Sequence, residues 1–117
     1  MNDIERWKKN IILVLKCLSD KEFQKNTWFG EDAYIFNPTE LYSKLYDDND
    51  IELFLDDNIA CLNLDQLSLG KNLVKVMDIY SKKFPEGFDP KVVISDSDWK
   101  KVVKASQQFL QAISEDA

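Results

Sequence analysis

The segment Trp99-Lys-Lys-Val-Val-Lys-Ala-Ser-Gln-Gln-Phe-Leu-Gln-Ala-Ile113 decides the fold class. Trp99, Val102, Val103, Ser106, Phe109, Leu110 and Ile113 recur at intervals of three and four, the spacing that lines one face of a helix. Ser95 or Asp96 just upstream supplies a cap. Moving outward, the same period appears from about Asp65 to Lys83, with Leu67, Gly70, Leu73, Val74, Met77, Tyr80 and Phe84 on one face and Pro85-Glu86-Gly87 as the stop.

Further upstream the signals are local. Asp50 opens a short helix, Ile51 to about Asp56, that carries Ile51, Phe54 and Leu55. Asn37-Pro38-Thr39-Glu40 is a helix start, because Asn caps, Pro suits the first helical position and Glu sits at the third. Leu41, Tyr42, Leu45 and Tyr46 then form its inner face. Near the beginning, Ile4, Trp7, Ile11, Leu15 and Leu18 mark a helix that Ile12 and Leu13 widen. Ser19-Asp20-Lys21-Glu22 reads as a capping box for a short helix reaching about Trp28, with Phe23 inward.

These elements predict an all-α fold, a single compact bundle of about five to six helices over residues 1–117. The three glycines and three prolines are too few for the many turns of a sandwich or barrel. Hydrophobic residues at 44% exclude a disordered tail. One alternative stays open, a short two-stranded pairing of Ala33–Phe36 with Val92–Ile94.

No apolar run approaches the roughly 20 residues that span a bilayer. The start, Met1 to Trp7, mixes acid and base and lacks the pattern of a signal peptide, so a cytoplasmic location is expected. Cys17 and Cys61 have no CxxC spacing and no histidine accompanies them, so both are expected to be reduced thiols packed as small apolar groups.

Charge is distributed unevenly. The net charge is −6, yet residues 31–65 hold ten acidic groups against the single Lys44, a local −9. The densest part is Asp47-Asp48-Asn49-Asp50-Ile51-Glu52-Leu53-Phe54-Leu55-Asp56-Asp57, six carboxylates with no cation among them. Packed like charges weaken a fold. They suit either a solvated helical edge, with acids as caps, or a face for a basic partner. Nucleic acid is excluded as that partner, since its phosphates would be repelled.

A calcium loop is excluded too: starting at Asp48, Leu53 falls where glycine is needed and Ile59 where the bidentate glutamate belongs. Catalysis lacks its usual groups. There is no histidine, no Gly-x-Ser-x-Gly, no phosphate-binding glycine loop and no activated cysteine. Neither an enzyme nor a metal or other cofactor is expected. Trp28-Phe29-Gly30-Glu31-Asp32 and Tyr34 adjoin the acidic run, where aromatic rings can anchor an interface. For Trp28 itself the simpler expectation is that it closes the core over the second helix.

Leu18-Ser19-Asp20-Lys21-Glu22-Phe23-Gln24, Trp28, Leu45-Tyr46-Asp47-Asp48 and Ser95-Asp96-Ser97-Asp98-Trp99 together resemble a group of small bacterial proteins with no assigned reaction, over roughly residues 18–110. In size and charge the chain also resembles the immunity proteins of contact-dependent growth inhibition and other toxin–immunity systems. That resemblance implies a catalytically inert cytosolic inhibitor of one cognate toxin domain, often a nuclease whose active site is basic. The expected partner-binding residues are Asp47, Asp48, Asp50, Glu52, Asp56 and Asp57, with Glu31, Asp32 and Tyr34 at the rim. The alternative is an acidic adaptor or regulator of some other basic protein.

Overall fold

The computed structural model describes residues 3–30, 37–56 and 62–114. Among them the chain forms α1 (Asp3–Leu18), α2 (Lys21–Thr27), α3 (Pro38–Ser43), a π-helical turn (Lys44–Asp48), α4 (Ile51–Leu55), α5 (Leu64–Ser81), α6 (Pro90–Ser95) and α7 (Trp99–Ser114). No strand occurs among the described residues. The radius of gyration is 13.8 Å, close to the roughly 13 Å of a compact chain of this length. The all-α class read from periodicity is what forms, with more short helices than five or six.

The extra helix is α6, and it corrects the open alternative. Val92, Val93 and Ile94 lie inside it, so they form no strand. Asp89 caps α6 by accepting from the Lys91 N–H at 3.0 Å, and Pro90 occupies its first turn. Asp89-Pro90 is thus the same start signal as Asn37-Pro38, followed by a helix too short to show a period. Ala33–Phe36, the other half of that alternative, lies outside the described residues.

Three long helices enclose most of the core. The last helix, α7, packs chiefly against α5 and then α1. It buries Trp99, Val102, Val103, Ala105, Ser106, Phe109 and Ile113, nearly the whole stripe read from sequence. Ser106 is tolerated there because its hydroxyl donates to the Val102 carbonyl at 2.8 Å. Gly70 lets α5 approach both neighbours. A Cβ at that position would sit 2.4 Å from Leu55 Cδ2 and 2.9 Å from Phe109 Cε1.

On α1 the buried residues are Ile11, Val14, Leu15 and Leu18. Leu13 is 60% exposed, so it does not widen the inner face; Val14 does. The start of α2 also differs from expectation. Asp20, not Ser19, is the cap, accepting from Phe23 N at 3.0 Å, while the Ser19 hydroxyl turns back to the Lys16 carbonyl. Gln24 is the buried side chain of α2, and Phe23 is only half-buried.

Gln24 then joins three helices. Its Nε2 donates to the Cys17 and Leu18 carbonyls at the end of α1, both at 3.0 Å, and its Oε1 accepts from Trp99 Nε1 at 2.9 Å. Carbonyls at a helix end have no partner within their helix, so a buried end needs such a donor. Trp28 is buried beside this node and packs on Trp99 with ring centroids 5.7 Å apart. It closes the core, as expected of it. No helix of the described residues is long and apolar enough to cross a membrane.

Candidate functional site: the acidic edge

The acidic edge is held on α5 by two tyrosines. Tyr42 donates its hydroxyl to the Met77 carbonyl at 3.0 Å, and Tyr46 donates to the Val74 carbonyl at 3.4 Å. The rings stack with centroids 6.0 Å apart. Burial pushes both phenols well above their usual range; Glu52 and Asp78 add to this for Tyr46, while the neighbouring Tyr46 and Tyr80 add for Tyr42. Both therefore stay protonated donors at any ordinary pH.

Between the tyrosines and α4 the backbone changes course twice. The Asn49 N–H reaches the Lys44 carbonyl at 3.0 Å, a five-residue closure, and the Asn49 side-chain amide donates to the same carbonyl at 2.8 Å. The Trp7 indole N–H donates to the Asn49 carbonyl, tying α1 to this turn. Trp7 also meets Phe54 edge-on, with centroids 5.3 Å apart. Asp50 then adopts a left-handed conformation, φ 41° and ψ 66°, which Asp tolerates better than most residues. Its carboxylate caps α4 by accepting from Leu53 N at 3.2 Å.

This geometry sorts the run cleanly. Leu45, Ile51, Phe54 and Leu55 are buried, whereas Asp47, Asp48, Asp50, Glu52 and Asp56 are all exposed. Leu53 is also 43% exposed, an apolar side chain among the acids. Two of the five acids have local duties: Asp50 caps α4, and Asp47 accepts from the Ser43 hydroxyl at 3.1 Å. Glu52 and Asp56 line one shallow cleft of about 190 Å³ together with Leu55, Val74 and Lys71. Of the other expected contact residues, Glu31, Asp32, Tyr34 and Asp57 lie outside the described residues.

Ion pairing separates this edge from the rest of the molecule. The ion pairs between described residues are Lys25–Glu22, Lys82–Asp78, Lys83–Asp96, Lys83–Asp98 and Lys101–Asp98, all outside residues 31–65. None reaches Asp47, Asp48, Asp50, Glu52 or Asp56. The tightest cluster centres on Asp96, which accepts from Lys83 Nζ at 2.7 Å, Tyr80 Oη at 2.9 Å and the Asp98 N–H at 3.0 Å. The Lys83 ammonium, foremost, holds the Asp96 carboxyl below the usual carboxylate range.

Sequence reading did not anticipate that cluster, nor the roles of Gln24, Trp7 and Asn49. The Asp96–Lys83, Trp7–Asn49 and Gln24–Trp99 bonds join residues 13, 42 and 75 apart in the chain, and no short spacing signals such pairs. Among the described residues, no group of three or more Cys, Asp or Glu side chains is arranged to hold a metal ion. Cys17 is half-buried and unpaired by any disulfide, and burial raises its thiol pKa. Comparison with protein family models, with curated proteins and with solved structures finds no match.

Proposed function

We propose that this chain is a binding protein that neutralises one basic partner, and specifically an immunity protein that covers the basic active site of a cognate bacterial toxin domain such as a nuclease. One observation carries this: five exposed carboxylates on one edge that form no ion pair among the described residues, whereas Glu22, Asp78, Asp96 and Asp98 elsewhere are each paired with a lysine. Unpaired like charge costs folding free energy, and it is offset when a partner brings the opposite charge. The same field speeds encounter with a basic protein and weakens as salt rises. A nuclease active site is basic because it must hold phosphates, so an acidic protein surface can occupy it and exclude the substrate.

The test uses the toxin domain encoded beside this gene. The wild-type chain is expected to bind it with an affinity that falls as salt rises, and to block its activity. A triple charge reversal, Asp47→Lys, Asp48→Lys and Glu52→Lys, is expected to weaken binding roughly tenfold or more and to flatten the salt dependence. Asp50 is left out of that variant because it also caps α4. If no complex forms, or if the triple variant binds as well with the same salt response, the proposal fails.

A further inference from the structure

We draw no further inference here: the strongest candidate, the shallow cleft between α4 and α5 lined by Glu52, Leu55, Asp56, Lys71 and Val74, belongs to the acidic edge already described, and beyond its clustered carboxylates nothing in the structure shows what would fill it.

Discussion

Replacing Gln24 by leucine isolates the polar node that joins α1, α2 and α7. Leucine is similar in size but can neither accept from Trp99 Nε1 nor donate to the Cys17 and Leu18 carbonyls. Trp99 is fully buried, so its indole N–H would lose the Gln24 acceptor out of reach of water. Leaving such a donor unsatisfied costs about 1–3 kcal/mol. The bond to Leu18 is also buried, whereas the one to Cys17 is only partly so. Allowing about 2 kcal/mol for the N–H and about 1 for the Leu18 carbonyl, and crediting up to about 1 kcal/mol for added apolar burial, the net loss is about 2–3 kcal/mol.

With a urea m-value near 1.5 kcal/mol per M, that loss lowers the unfolding midpoint by roughly 1.3–2 M. The assay is urea unfolding followed in parallel by tryptophan fluorescence and far-UV circular dichroism. Coincident curves establish that one transition is being measured. Gln24→Glu provides an internal check. It keeps an acceptor for Trp99 but turns a carboxylate oxygen toward two carbonyls, so it is expected to destabilise more at pH 7. Part of that loss should return as the pH falls and the side chain gains a proton to donate. A leucine variant within about 0.5 kcal/mol of wild type, the scatter of ordinary surface substitutions, would refute the assignment of Gln24 as the polar link.

Three other substitutions probe separate features. Gly70→Ala gains up to about 1 kcal/mol of helix propensity but drives a methyl into Leu55 and Phe109. The variant is expected to be less stable by about 1–2 kcal/mol net, measured by thermal unfolding. Asp50→Asn keeps both the cap and tolerance of the left-handed backbone, so it should stay near wild type. Asp50→Ala loses both and should cost about 1–2 kcal/mol, with α4 amides exchanging faster. Asp96→Asn addresses pH. Because the folded-state pKa of Asp96 is depressed, its stabilisation is present above the unfolded value of about 4 and is lost as pH falls through the folded value. The stability gap between wild type and Asp96→Asn should therefore be full at pH 6 and shrink as the pH falls below the unfolded value of about 4; a gap that does not shrink with falling pH would show that Lys83 and Tyr80 do not act through the charge of Asp96.

How much was legible in the sequence depended on where each interaction closes. The α7 stripe was readable because burial on one side of a helix imposes a period that any window of the chain displays. Asn37-Pro38 was readable because a cap and its N–H lie three residues apart, and the Asn37 carboxamide does accept from Glu40 N at 2.9 Å. Asp89-Pro90 carries the same signal but is not among the helix starts expected from sequence, where the β-branched run Val92-Val93-Ile94 stays open as a strand. Six helical residues are too few for periodicity to contradict such a run. The shift of the α2 cap from Ser19 to Asp20 shows the opposite limit. Both are good caps, and the burial of Gln24 against α1 and α7 chose between them.

The sequence by itself determined that this is a helical chain with a −9 stretch over residues 31–65. Helical period and charge are properties of neighbours along the chain, so no contact is needed to see them. Only the tertiary structure decided which charges remain free. Asp96 finds Lys83 13 residues away, and Asp98 pairs with Lys83 and Lys101. Asp47, Asp48, Asp50, Glu52 and Asp56 form no ion pair among the described residues, and the tyrosines, Trp7 and the left-handed Asp50 hold the run with its apolar side inward and its acids toward solvent. Pairing across space depends on which surfaces the core brings together, and a linear pattern does not record that.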